Sequence, residues 1–141
     1  MTIGRSLHIG LNAIDPKEYG TDGRLRGCEN DARDMRTIAN AAGFASEMLL
    51  TKEATSTKVL ERIADAAKSL QSGDTFLLTL ACHGSQLPDL TGDEADKLDE
   101  TWLLYDRMLI DDEIHNKLSQ FRAGVRIIVC SDSCHSGTVT R

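Results

Sequence analysis

The sequence has few of the features that mark secreted, membrane or nucleic-acid-binding proteins. Its four Cys include no C-x2-C pair, which disfavours a zinc site, and they show no tight pairing pattern. No apolar run approaches the roughly 20 residues of a membrane span. The formal net charge of −6 argues against a nucleic-acid or anionic-membrane partner, because both need a basic face. The first residues do not resemble a secretory signal, so we expect a cytoplasmic protein with reduced cysteines.

Apolar runs alternate with amphipathic segments along the 141 residues, a length that suits one domain. Strands are predicted at residues 6–14, 45–50, 75–82 and 126–130. The third and fourth are apolar nearly throughout, which is typical of strands covered on both faces of a parallel sheet, and we expect Cys82 and Cys130 to be buried in them. Helices are predicted at 28–42, 57–70 and 111–121, the first with an apolar face of Ala32, Met35, Ile38, Ala39 and Ala42. Gly43 is expected to end the first helix, Thr55 or Ser56 to cap the second, and an acidic run to favour the start of the third. This alternation predicts an α/β layered sheet.

An acidic, weakly periodic stretch runs from Pro88 to Asp106, between the third strand and the third helix. Ligands of such sheets bind outside the carboxyl ends of strands, so a loop at this position is well placed to act. The alternative is a solvated surface insertion without a role in a site.

Reactive side chains follow two of the buried strands. The third strand runs into His83 and Gly84, and the fourth runs into Cys134. Neighbouring parallel strands bring such ends together, so the imidazole could take the thiol proton and the thiolate could attack a carbonyl. The backbone N–H groups of Gly84 and Cys134 could stabilise the oxyanion. The alternative is a core histidine and a buried thiol, which we favour for either residue alone but not for the pair.

These segments resemble the caspase-like clan of cysteine proteases, and within it the metacaspases and their bacterial relatives. The resemblance rests on CHGSQ followed by DSCHSG, on LRGCENDARDM near the first helix, and on the acidic elements LDETWLLYD and LIDDEI. It covers most of the chain, in the order of the family. S-C-H-S-G around the cysteine favours the metacaspases over the Asp-cleaving animal caspases.

The resemblance implies a three-layer caspase-like sandwich, a mostly parallel sheet with helices on both faces, in which His83 and Cys134 form the catalytic dyad. It implies cleavage of protein or peptide substrates after Arg, or after Lys, because Asp31 and Asp132 match the two carboxylates of the family's specificity pocket. Cys28 matches another pocket position. Ala81 stands where the family usually has Ser. Judged without the family, Asp31 reads as a first-turn helix carboxylate and Asp132 as a strand-end cap.

The resemblance also concerns calcium and a partner chain. Asp99, Asp111 and Asp112 match three positions of a calcium site that activates many family members, whereas a fourth position carries Arg141 here; no cofactor is otherwise expected. A caspase-like sheet has six strands and four are predicted, so residues 1–141 read as the large catalytic subunit, with a small subunit from the same precursor as partner. Self-processing after Arg141 could have made this end; an artificial end or a separately encoded half are the alternatives.

Two other functions stay open beside the protease. One is a catalytically silent regulatory or binding module on the same fold, which the presence of both dyad residues and both pocket carboxylates argues against. The other is a nucleotide- or phosphate-binding α/β domain. It lacks G-x-G-x-x-G and G-x4-GK[ST], and acidic strand ends would repel phosphate.

Overall fold

Four parallel strands form the central sheet of the computed structural model, which describes residues 2–83 and 101–134. The side chains of His83, Asp111, Ser133 and Cys134 lie outside this description. The strands are β1 (Gly4–Gly10), β2 (Ala45–Leu50), β3 (Thr75–His83) and β6 (Arg126–Cys134), in the spatial order β2-β1-β3-β6. Two short strands, β4 (Thr101–Leu103) and β5 (Met108–Ile110), form an antiparallel hairpin. The predicted α/β class with a parallel sheet is therefore confirmed.

Strand bounds differ most from the prediction at the ends of β1 and β6. β1 stops at Gly10 instead of residue 14, because the chain turns into a short helix, α1 (Pro16–Tyr19), which Asp15 caps through the backbone N–H of Lys17. β6 runs four residues beyond the predicted end at Cys130, although these residues are mostly polar. Its pairing with β3 supplies the hydrogen bonds that local propensity does not.

The three predicted helices are present, with caps that match the expected signals. They are α2 (Cys28–Ala41), α3 (Ser56–Ser69) and α4 (Asp111–Leu118). The hydroxyl of Thr55 accepts a hydrogen bond from the backbone N–H of Lys58 at the start of α3, and Gly43 adopts a positive φ of 91° after α2. α4 ends three residues early, which leaves Phe121 to stack on Phe76 of β3 with ring centroids 5.0 Å apart.

Helices cover both faces of the sheet, which gives three layers. α2 packs on the face that contains His8 and Gly10, since a Cβ at Gly10 would meet Ala32 of α2. Arg5 shares the opposite face with Leu7 and Ile9, and its guanidinium binds the carbonyl oxygen of Asp65 and the hydroxyl of Ser69 on α3. The apolar core includes Leu7, Ile9, Val59, Ile63, Phe76, Leu78 and Leu80.

The end of the acidic stretch is a buried hairpin, so a solvated insertion is the wrong description for residues 101–106. Trp102, Leu103 and Leu104 are all buried. The Asp106 carboxylate accepts hydrogen bonds from the backbone N–H and the hydroxyl of Ser56 at 2.7 and 2.9 Å, and thereby joins the hairpin to the start of α3. Residues 88–100 lie outside the described part of the chain.

Several apolar side chains that the pattern predicts to be covered are exposed, and they include Ala42, Ile128 and Val129. Cys130 is exposed because β6 is the last strand of the described sheet and no described helix covers it. Ile38 is 60% exposed on α2, seven residues after Asp31 and therefore on the same side of the helix. No described helix is long and apolar enough to cross a membrane.

A row of polar groups lies buried within the sheet. The ring of His8 is fully buried, with Nδ1 2.8 Å from the hydroxyl of Thr79 and Nε2 2.8 Å from the hydroxyl of Ser6. Burial, with a smaller contribution from the positive charge of Arg36, lowers the pKa of His8 from 6.5 to about 4. His8 is therefore neutral in the folded protein at neutral pH.

This shift predicts that the fold is sensitive to mild acid. Between pH 6.5 and about 4 the unfolded chain binds a proton at His8 that the folded chain does not, so the free energy of unfolding falls as the pH falls, by up to roughly 3 kcal/mol. Urea unfolding at pH 7 and pH 4.5 measures this loss. His8→Gln should reduce the pH dependence, whereas His115→Gln, at an exposed position, should retain it. An equal pH dependence in wild type and His8→Gln would contradict the assignment.

Candidate active site

The carboxyl ends of β3 and β6 bring the two proposed catalytic positions together. The parallel ladder pairs nine residues in register, ending with Ala81 opposite Asp132 and His83 opposite Cys134. Adjacent strands lie about 4.8 Å apart, so the backbones of His83 and Cys134 are direct neighbours. Fifty residues separate the two in sequence, and only the ladder makes them adjacent. Gly84, the proposed oxyanion donor, lies outside the described residues.

An acidic cleft of about 350 Å³ lies beside these strand ends, between α2 and the exposed face of β6. Asp31 lines it from the first turn of α2, and Asp132 lines it from β6. The two carboxylates that the resemblance assigns to the specificity pocket therefore line one cleft. Ala81, at the position where the family usually has Ser, lines the same cleft from β3.

The cleft contains a third carboxylate that the sequence analysis missed. Asp34 lies three residues after Asp31, nearly one helical turn, and lines the cleft together with Met35 and Cys130. The i, i+3 spacing of the two Asp is the signal that could have identified it. No Lys or Arg is among the described lining residues, so the cleft favours a positively charged group with an aliphatic stem.

Cys28, which the resemblance assigns to the specificity pocket, is the first residue of α2, and this assignment stays a prediction. The residue is buried, 2% exposed, and it is not among the described residues that line the cleft. A Cβ added to Gly10 would lie 2.4 Å from the carbonyl oxygen of Cys28. Glycine at the end of β1 therefore allows the first turn of α2 to approach the strand, and this approach sets where Asp31 lies.

Two of the three predicted calcium ligands lie outside the described part of the protein. Asp99 and the side chain of Asp111 lie outside it, and Asp112 is exposed in the first turn of α4. Among the described residues no group of three or more His, Cys, Asp or Glu could hold a metal ion. The acidic residues at the start of α4 favour the helix by their position at its N-terminus. A calcium site that includes Asp99 stays a prediction.

The three-layer fold and the pairing of the His83 and Cys134 positions define a caspase-like domain. Residues 4–141 match the family model described as metacaspase, peptidase C14 domain. The chain belongs to this family.

Similar proteins come from fungi and from a bacterium. The chain is 36% identical over 149 aligned residues to Metacaspase-1A of Aspergillus clavatus, and equally so to Metacaspase-1B of Aspergillus fumigatus, with 95% of this chain covered in both. The crystal structure of protein GSU0716 from Geobacter sulfurreducens is 54% identical and superposes with a TM-score of 0.85 over 96% of this chain. The chain spans 34% and 35% of the two fungal proteins and 52% of the bacterial one.

Proposed function

We propose that this chain is the catalytic large subunit of a cysteine endopeptidase that cuts peptide bonds after Arg, or after Lys. The observation that carries the proposal is the register of β3 and β6, which sets the backbone of His83 beside that of Cys134 at the carboxyl edge of the sheet. The acidic cleft begins two residues earlier on the same strands, at Ala81 and Asp132. Membership of the metacaspase family supports the same activity.

In the proposed mechanism His83 takes the proton from the Cys134 thiol, and the thiolate attacks the carbonyl carbon of the scissile bond. The oxyanion that forms accepts hydrogen bonds from the N–H groups of Gly84 and Cys134. Collapse of this intermediate breaks the C–N bond, and His83 returns the proton to the leaving amine. Water then attacks the thioester, and its hydrolysis releases the acid and restores the thiol.

The acidic cleft accounts for the specificity in this proposal. A strand rises about 3.3 Å per residue, so Asp132 lies roughly 6.6 Å below the level of Cys134, a distance that a Lys or Arg side chain spans. A guanidinium can form bidentate contacts with carboxylates, which favours Arg over Lys. An organic cation on a flexible stem suits carboxylates that line a cleft without converging on one point as metal ligands do.

Removing either member of the dyad should abolish peptide cleavage. Cys134→Ala deletes the nucleophile and His83→Ala deletes the base, and because the two act as a unit, each single variant should lose nearly all activity. Cleavage of a fluorogenic Arg peptide measures this loss, with circular dichroism to show that the fold is retained. His115→Ala, at an exposed position on α4, is the matched control. More than a tenth of wild-type activity in either dyad variant would refute the assignment and favour a binding module.

Removing either carboxylate charge from the cleft should weaken the cleavage of substrates with a positively charged side chain. Asp31→Asn or Asp132→Asn should lower kcat/KM for an Arg peptide by about 100-fold, because a charge-assisted contact is lost and the guanidinium is left without its full set of partners. The kcat/KM for a citrulline peptide, whose side chain is neutral and nearly the same shape as Arg, should fall much less. Asp65→Asn, at an exposed position on α3, is the control. A preference for Asp before the cut in a peptide library would rule out the basic specificity.

We also propose that a small subunit with further strands completes the sheet along β6, after proteolytic processing of a common precursor. Ile128 and Val129 are 44% and 40% exposed, and successive strand residues point to opposite faces, so each face of β6 carries an exposed apolar side chain. The relatives are longer than this chain, which leaves room in them for such a part. An open strand with two apolar faces invites pairing.

This assembly predicts how the chain behaves on its own. Expressed alone it should aggregate, whereas co-expression with the small subunit should give a 1:1 complex by light scattering. Ile128→Lys should block the complex, because it places a charge on the surface to be buried. Ile3→Lys, at another exposed apolar position, should not. A monodisperse and active 141-residue chain without a partner would contradict the proposal.

A further inference from the structure

The first turn of α2, which carries Asp31, is capped by a residue from another element. Its N-cap residue is Gly27, with a φ of 91° and no side chain to accept a hydrogen bond. The side-chain oxygen of Asn12, just after β1, accepts a hydrogen bond from the backbone N–H of Glu29 at 3.1 Å. Asn12 thus satisfies an amide that an N-cap side chain normally binds. The position of this turn therefore depends on the loop that follows β1.

Thr51, directly after β2, joins the same arrangement from the other side. Its hydroxyl oxygen accepts a hydrogen bond from the backbone N–H of Asn12 at 3.0 Å, and the hydroxyl donates to the carboxylate of Glu29. The three residues Asn12, Glu29 and Thr51 form a closed set of contacts, which we call the capping cluster. It connects the ends of β1 and β2 to the first turn of α2.

The backbone of Thr51 indicates that this arrangement is held in place. Thr51 has a φ of 39°, and it is the one non-glycine residue with a positive φ among residues 2–83 and 101–134. A β-branched residue rarely adopts this conformation, which persists only when the surrounding contacts enforce it. Such strain is found preferentially where a side chain must be placed for function. The hydroxyl of Thr51 is the group that this conformation directs to Asn12 and Glu29.

The first turn of α2 has little room to move towards the sheet. A Cβ at Gly10 would lie 2.4 Å from the carbonyl oxygen of Cys28, so the turn already rests against the end of β1. The backbone N–H of Asp31 donates to the carbonyl oxygen of Gly27 at 2.8 Å, which makes Asp31 part of that same turn. Contact with β1 and the capping cluster together determine where the Asp31 carboxylate enters the cleft.

We infer that Thr51, acting with Asn12 through the first turn of α2, is a positioning residue for the specificity carboxylate Asp31. Neither residue is among the described residues that line the acidic cleft. The inference rests on the proposed function, because it assigns a role in recognition of Arg. Recognition by two carboxylates on different elements depends on their separation, so a small shift of α2 relative to β6 weakens the contact with a guanidinium.

The test separates the hydroxyl of Thr51 from its backbone conformation. Thr51→Val keeps the shape but removes the hydroxyl, Thr51→Gly removes the hydroxyl and also the strain, and Thr51→Ser keeps the hydroxyl. Thr37→Val, on the exposed side of α2, removes a hydroxyl that donates to the carbonyl oxygen of Arg33 in the same helix, and it is the matched control. All are assayed as the complex with the small subunit, with Arg and citrulline peptides of otherwise identical sequence.

Thr51→Val and Thr51→Gly should lower the ratio of kcat/KM for Arg to that for citrulline by about tenfold, the size expected for one weakened charge-assisted contact. Thr51→Ser and Thr37→Val should leave the ratio within about twofold of wild type. Because Thr51→Gly relieves the positive φ, it remains informative if Thr51→Val does not fold. An equal loss with both peptides, or an unchanged ratio, would overturn the inference and leave the proposed function intact. Wild-type protein without a preference for Arg would overturn the proposed specificity itself.

Discussion

The parallel pairing of β3 with β6 is the constraint on which the candidate site depends. Nine residue pairs lie in register, so the position of the last pair follows from the packing of all the earlier ones. Slipping β6 by one residue would set Ser133 opposite His83 and turn Asp132 to the other face of the sheet. Ile127 of β6 packs against the core and opposes such a slip, because a shift by one residue would turn it to the opposite face. The core thus secures the geometry of the edge.

The site is built from elements that are held separately and meet at one edge of the sheet. β3 and β6 supply the proposed catalytic positions and Asp132, while α2 supplies Asp31 and Asp34. α2 can approach the sheet because the end of β1 is Gly10, and its first turn is held by the contacts of Asn12 and Thr51. In the proposed function, recognition of the substrate therefore depends on how α2 lies relative to β6.

The exposed apolar side chains of β6 favour the binding of a partner along this strand. Its apolar residues Ile128 and Val129 have the composition of an internal strand, yet they are exposed in the described part of the chain. Burial of such side chains is worth about 25 cal/mol per Å² of apolar surface, which favours their removal from water. The proposed cleft lies on one face of this same strand. A partner that covers β6 would therefore also form part of the surroundings of the substrate.

The sequence by itself determined the elements whose signals are local. The apolar runs before His83 and Cys134, the cap at Thr55 and the acidic start of α4 each depend on neighbouring residues, and the structure places them as predicted. The pairing of His83 with Cys134 also followed from pattern, because the ends of adjacent parallel strands share one edge.

Only the tertiary structure decided the features that depend on residues far apart in the chain. The local pattern predicted that β6 ends at Cys130. In the structure the strand continues to Cys134, because its backbone pairs with β3. The acidic composition around Asp106 concealed a buried hairpin whose carboxylate caps α3 fifty residues away. The left-handed backbone of Thr51 is enforced by Asn12 and Glu29, at sequence separations of 39 and 22 residues. Propensity and periodicity report only the near neighbours of a residue, whereas hydrogen bonds and burial are made with whatever the fold brings beside it.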